Sequence, residues 1–274
     1  VLREIGRLRE VSFRAVGGGS GTECDLDHFD LDDKACFQLI VWNPEADEII
    51  GGYRFTRWKM ASFHDNGQPY VNTEHLFDFS QEFINDYFPY CIEMARAFVQ
   101  PKYQSAQAGR KALFALDNLW DGIGGLIATD PSVKYLAGKV TIYSSSPELS
   151  RKAMIYYLDM CFGDRKGLIT SKNPETCTPE QVEMFKKMFT GADYKENYQI
   201  LNNYVKSFGD TIPPLIHSYI GLSSSMKTFG TTFDPDFGDC YDTAMMITIA
   251  DIYQEKAERY IDSYESSKVK ITQE

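Results

Sequence analysis

At 274 residues the chain is long enough for one elaborated α/β domain, and its 43% hydrophobic, 14% aromatic and 24% charged residues exclude a disordered or fibrous protein. A formal net charge of −11 disfavours non-specific affinity for nucleic acid or anionic membrane, because those partners need a positive field; an anionic partner must meet a local basic patch. No apolar stretch is long enough to span a bilayer and no charged start leads into an apolar run, so a cytoplasmic protein is expected, with Val1 leaving room for native residues upstream.

The spacing of Leu2, Ile5, Leu8, Val11 and Phe13 predicts an amphipathic first helix, ended by Gly17-Gly18-Gly19-Ser20-Gly21 as a flexible loop. Runs 36–42 and 49–55 around Asn43-Pro44-Glu45-Ala46-Asp47 predict a β-hairpin. Residues 74–88 read as a helix followed by a turn at Pro89, then 90–99 as a strand closed by Pro101. A long helix over 105–127, a strand over 135–143 and a helix opened by Pro147 follow. Residues 163–208 read as a polar helical insertion; 213–225 then looks helical, 244–252 a final strand, and 256–274 a frayed tail. Strands alternate with helices, which predicts a single α/β domain, a mixed β-sheet flanked by helices.

Six cysteines (Cys24, Cys36, Cys91, Cys161, Cys177 and Cys240) lack metal-ligand spacing and read as reduced thiols; neither a metal site nor a catalytic cysteine is expected. The segment Glu23-Cys24-Asp25-Leu26-Asp27-His28-Phe29-Asp30 concentrates four carboxylates beside the Gly-rich loop. It reads either as a cluster able to hold an ammonium group or as a solvated loop with Asp as turn residues; it lacks the closing Glu and central Gly of an EF-hand. Regular alternation along 90–99 sends Glu93 and Arg96 to opposite faces. Met184, Phe185, Met188 and Phe189 form a stripe that is either core or a cap resting on a membrane or an acyl tunnel.

Arg9, Phe13, Asp27-His28-Phe29-Asp30, Gly52-Tyr53-Arg54 and Glu93-Met94-Ala95-Arg96 resemble the scaffold of N-acylhomoserine lactone synthases. Together with the run 213–220, Phe229-Gly230 and Asp234-Pro235-Asp236-Phe237-Gly238, they resemble still more the related ornithine-lipid and glycine-lipid (hemolysin-like) N-acyltransferases of the GNAT superfamily. The resemblance spans residues 2–250 and implies a GNAT-like fold. It also implies transfer of a (3-hydroxy)fatty acyl group from acyl carrier protein, or coenzyme A, to the α-amine of a small amino acid such as glycine or ornithine in aminolipid synthesis. Glu93 would then be the base, with Asp27 and Asp30 positioning the amine or ordering the loop, and Arg9, Phe13, Arg54 and Arg96 on the substrate side.

Gln104, Gln107, Gly109, Arg110 and Lys111 stand where the superfamily carries its phosphate-binding strand-to-helix junction. Gln107 replaces the first glycine of that pattern, which favours the single phosphate of a carrier-protein arm over a pyrophosphate. Acyl-phosphopantetheine is thus expected as a donor substrate, with no permanently bound cofactor. Lys102, Arg110, Lys111, Arg151, Lys152, Arg165 and Lys166 are the cations on which an acidic carrier protein would dock, with peripheral contact at the inner membrane a further expectation. Two rival readings are a lactone synthase using S-adenosylmethionine and a non-catalytic acyl or amino-acid sensor on the same fold.

Overall fold

The computed structural model describes residues 1–32, 36–104, 110–262 and 264, without the side chains of 110–114 and 116. In chain order the elements are α1 (Leu2–Arg14), α2 (His28–Leu31), β1 (Phe37–Asn43), β2 (Glu48–Arg57), β3 (Phe77–Phe79), α3 (Gln81–Asp86), β4 (Cys91–Val99), α4 (Pro101–Gln104) and α5 (Arg110–Thr129). There follow β5 (Tyr135–Ile142), α6 (Glu148–Phe162), β6 (Ile169–Ser171), α7 (Pro179–Met188), α8 (Tyr194–Ser207), α9 (Pro214–Ile220), β7 (Lys227–Asp234), β8 (Cys240–Thr248) and α10 (Gln254–Ala257). The mixed sheet with flanking helices is the architecture the alternation predicts. The chain divides into two compact units, one of residues 1–61, 90–136 and 248–274, the other of 62–89 and 137–247.

In the first unit β1, β2 and β4 form consecutive antiparallel strands. The predicted hairpin is present, and Leu39 packs so closely on α5 that a Cβ at Gly122 would lie 2.9 Å from it. Gly52 is needed for a similar reason: its Cβ would meet the Leu39 carbonyl oxygen at 2.6 Å. The register between β2 and β4 shifts between Gly52 and Arg54, where Gly52 pairs with Phe98 but Arg54 with Ala95. β4 therefore carries one extra residue, a bulge, and Arg96 within it has φ +51°, the left-handed region that side chains rarely adopt.

α1 buries Ile5, Leu8, Arg9, Glu10, Ser12 and Phe13. The Gly-rich loop after it is fastened rather than loose. Glu10 accepts bonds from Ser20 N (3.0 Å), Ser20 Oγ (2.9 Å) and Gly21 N (2.9 Å), with Arg14 Nε on the same carboxylate at 2.6 Å. Burial alone would raise this acid, but those bonds hold Glu10 below its ordinary range. The tail read as frayed begins as helix over 254–262, and Gly124 of α5 admits the Tyr260 carbonyl where a Cβ would lie 1.8 Å away.

The second unit departs further from the sequence reading. Only Gln81–Asp86 of 74–88 is helical, started by Ser80 Oγ accepting from Phe83 N at 3.1 Å; Phe77–Phe79 is instead a strand, paired with Ile169–Ser171. β7 was not anticipated, α9 ends five residues earlier than its predicted limit of Ser225, and the last strand is Cys240–Thr248 rather than 244–252. The reason is that Thr228, Thr231, Thr232, Asp242 and Thr243 are all buried, so the polar residues that break the apolar pattern lie inside. Within 163–208, α7 and α8 stack aromatic rings on α6: Tyr156 lies 5.4 Å from Phe185 and 5.8 Å from Phe189. Phe185 and Phe189 of the apolar stripe are therefore core, not a cap.

Candidate active site

Three arginines and three aspartates converge in the first unit. Arg9, on the buried face of α1, donates Nη1 to both oxygens of Asp30 (3.1 and 3.0 Å) and Nη2 to Gln38 Oε1 (2.6 Å). Gln38 Nε2 returns to Asp30 Oδ1 at 2.9 Å. Arg54, on β2, donates Nη1 to Asp27 Oδ1 (2.6 Å) and Asp30 Oδ2 (2.8 Å), its guanidinium 5.7 Å over the Phe29 ring. Arg96 places Nε 3.1 Å from Asp25 Oδ2 and Nη2 3.5 Å from Asp27 Oδ2. Asp27 and Asp30 also form a capping box on α2, with Asp27 N donating to Asp30 Oδ2 at 3.3 Å.

Burial differs sharply within this network. The side chains of Arg9, Arg54 and Asp30 are at most 1% exposed, whereas Asp27 is 27% and Arg96 20% exposed. Burial would raise Asp27, but Arg54 and then Arg96 hold it below the usual carboxylate range. Asp25 goes the other way: its burial outweighs Arg96, Arg9 and Arg54 and pushes it up. For Arg54, Asp27 and Asp30 overcome the burial that would lower it, and its guanidinium is held above its ordinary value. Asp25, Asp27 and Asp30 are thus matched one for one by guanidinium groups. They do not form the uncompensated acidic pocket that their density in the sequence suggests.

Glu93 is 2% exposed and accepts Trp58 Nε1 at Oε2, 3.0 Å away. It lies opposite Thr56 on β2, whose Oγ1 is 2.6 Å from Cys36 Sγ. The expectation that Glu93 and Arg96 point to opposite faces fails because the bulge interrupts the alternation. Arg96 turns to Asp27, which Arg54 also holds, and Arg54 lies on the same side of β2 as Thr56. Phe13 is buried on α1 beside Arg9. Trp58 and Gln38 were missed by sequence reasoning; Gln38 was visible as the one polar residue in the apolar run 36–42, whereas nothing local marks Trp58.

Of the donor-side residues, Gln104 ends α4 and its amide donates to the Val99 carbonyl. Gln107 and Gly109 lie outside the described residues. Arg110 and Lys111 open α5, and their side chains are likewise outside the description. The other cations expected to dock a carrier are largely engaged. Lys152 is buried on Glu175 and the Thr176 carbonyl, Arg165 pairs with Asp159 at 3.1 Å, Lys166 with Glu82 at 3.5 Å and Lys102 with Glu48. All six cysteines are free thiols, and burial raises each of them, Cys161 to about 11 and Cys240 to about 12, so they are poor nucleophiles near neutrality. His64 meets Glu74 at 2.6 Å and His217 meets Tyr198 at 3.0 Å, consistent with structural roles.

Residues 8–113, which carry this network, match the acetyltransferase (GNAT) domain family. Over 264 residues, 96% of the chain, it is 44% identical to a glycine N(alpha)-acyltransferase of Phocaeicola vulgatus and to one of Bacteroides thetaiotaomicron, covering 81% and 78% of those proteins. A solved GNAT-like decarboxylase in complex with isobutyryl-CoA aligns over 76% of each chain at 11% identity and a TM-score of 0.32. The family match and the two 44% identical relatives make the chain an acyltransferase of the GNAT class. The chain belongs to the same family as the two glycine N(alpha)-acyltransferases, and it is an N-acyltransferase rather than a non-catalytic sensor.

Proposed function

We propose that the protein transfers a (3-hydroxy)fatty acyl group from a phosphopantetheine thioester, on acyl carrier protein or coenzyme A, to the α-amine of glycine, as a step in aminolipid synthesis. The observation that carries the acceptor assignment is the paired exposure of Asp27 and Arg96, opposite charges 3.5 Å apart at the open side of an otherwise buried network. A small zwitterion fits such a pair, its ammonium meeting Asp27 and its carboxylate the guanidinium of Arg96. Arg54 and Asp30 hold Asp27 in place from behind and Arg9 holds Asp30, with Phe13 on the buried face of α1 assigned to the substrate side by the resemblance. The names of the two 44% identical relatives favour glycine over ornithine and over the lactone-synthase reading.

In this reaction the acceptor must lose a proton before its nitrogen attacks. The N–C bond forms at the thioester carbonyl, the negative charge on oxygen is met by a backbone N–H, the C–S bond breaks and the thiol leaves with a proton. Glu93 receives the ammonium proton, directly or through water. The β4 bulge is where backbone groups leave the ladder, which supports a carbonyl seated there. The resemblance assigns Gln104, Gln107, Gly109, Arg110 and Lys111 to the recognition of the pantetheine arm. An acyl carrier protein as donor partner and peripheral contact with the membrane that receives the product complete the reading.

Purified protein is incubated with 3-hydroxyacyl carrier protein or the matching acyl-CoA and a panel containing glycine, ornithine, serine and glycinamide, with products identified by mass spectrometry. N-acylglycine is expected, with glycinamide a poor acceptor because it lacks the carboxylate. Acylation of glycinamide as fast as of glycine removes the Arg96 assignment, and no N-acylglycine from either donor overturns the function.

A further inference from the structure

A carboxylate that is 2% exposed must be held by hydrogen-bond donors, because an ionised group taken out of water without them is prohibitively costly. Glu93 Oε2 is held by the indole N–H of Trp58 at 3.0 Å. An indole nitrogen only donates, and it is neutral. It therefore fixes where the oxygen sits without bringing the counter-charge that a guanidinium brings to Asp27 and Asp30.

The indole is itself immobilised. Trp58 is 1% exposed and opens the 3-10 turn Trp58–Met60 that ends β2, a turn closed by Ala61 N donating to the Trp58 carbonyl at 2.9 Å. Trp58 spends its one N–H on an acid in the strand beside it. Arg57 pairs with Ile92 and Thr56 with Glu93, so the end of β2 and Glu93 are registered to one another by the ladder as well. Any rotation of the carboxylate must break either that bond or the packing of the largest fully buried side chain among the described residues.

We infer that Trp58 is a positioning residue for Glu93, holding its carboxylate in the orientation from which it accepts the proton of the acceptor amine during acyl transfer. The inference rests on the assignment of Glu93 as proton acceptor. Trp58 touches no substrate; it acts through Glu93 alone, so its loss should register in turnover and be invisible once Glu93 can no longer accept a proton.

The test replaces Trp58 at that position alone with 3-benzothienylalanine, which has the shape of tryptophan with sulfur in place of N–H, alongside W58F, E93Q and the combinations. Loss of one bond to a charged group predicts a fall in kcat of about 10- to 100-fold for the isostere, with KM for glycine little changed. In the E93Q background the same replacement should cost nothing further. An isostere turning over at the wild-type rate while E93Q is inactive overturns the inference. An equal fractional loss in both backgrounds also overturns it, since that is the mark of a merely structural tryptophan. An E93Q protein that turns over normally instead overturns the role of Glu93, a separate failure.

Discussion

Each unit of the molecule buries aspartates against cations, but the two clusters are built differently. In the first, Arg54 bridges Asp27 and Asp30, Arg9 spans Asp30 and Gln38, and Arg96 spans Asp25 and Asp27, as the planar fork of a guanidinium allows. In the second, the point charge of Lys139 lies 3.0 Å from Asp242 and 3.9 Å from Asp234. Thr141 Oγ1 donates to Asp242 at 2.7 Å, and His75 Nε2 lies 3.5 Å from Asp234. The arginine network has a solvent-facing margin built on a left-handed residue, Arg96; the lysine cluster joins β5 to the β7–β8 hairpin and keeps both aspartates 4% exposed. The difference separates a site from a staple. Asp239 in the β7–β8 turn is left-handed as well, but only in the first cluster is the strained residue itself one of the part-exposed charges, and strain of that kind persists where the surroundings over-determine it.

The largest effect that would break the comparison is expected from Asp30→Ala. It strips Arg9 and Arg54 of a shared buried carboxylate, and removing one partner of a buried pair costs about 3–5 kcal/mol. Urea unfolding monitored by circular dichroism should show that loss; a midpoint within error of wild type would mean that water or Asp27 replaces Asp30.

Lys139→Met follows at the lower end of the same range, about 3 kcal/mol, because Thr141, His75 and the Asp236 amide, which donates to Asp234 at 3.0 Å, remain in place. If the cluster is only a staple, glycine KM in the surviving folded protein should equal that of wild type. A raised KM would make the lysine cluster part of the acceptor site.

Arg96→Gly inverts the pattern. It abolishes both ion pairs of Arg96 and leaves the buried Asp25 without that partner, but relieves a left-handed conformation worth about 1–2 kcal/mol, so the loss of stability should be smaller than for Lys139→Met while glycine KM rises. Loss of the charged hydrogen bonds predicts a rise of about 10- to 100-fold. A stable variant with unchanged KM would shift carboxylate recognition elsewhere.

The sequence carried the first unit better than the second, for reasons visible in particular residues. Hydrophobic spacing placed α1, the two β-rich runs around residues 43–47 placed the β1–β2 hairpin, and Pro101 marked the end of β4. Arg9, Asp27, Asp30, Arg54, Glu93 and Arg96 were recognisable as a set by resemblance, but their mutual pairing was not. The pairing of Arg96 depends on the bulge it sits in, a one-residue slip that no local pattern encodes, and the others join residues of α1, of α2 and its cap, and of β2. The bond from Trp58 to Glu93 spans 35 positions. β3 and β6 exist by pairing with each other across nearly a hundred residues, and β7 and β8 hide threonines and Asp242 whose partners lie on other segments. Local propensity cannot supply such long-range satisfaction.

The smallest expected effect sharpens the contrast from the exposed side. Asp130 pairs with Lys59 Nζ at 2.7 Å and with Arg57 Nε at 3.6 Å. The Lys59 bond, with Ser132, holds its carboxyl down to about 2. Because the folded value lies below the unfolded one, near 3.9, the stabilisation is present above that pH and is lost as pH falls towards about 2. Pairs of this kind contribute at most about 1 kcal/mol, since water screens them. Asp130→Asn should therefore unfold at slightly lower urea than wild type at pH 5, and the gap should close as both proteins approach pH 2. A gap that stays constant across that window would assign the effect to lost hydrogen bonds rather than to the carboxylate's charge, and would place Asp130 with the buried clusters instead of apart from them.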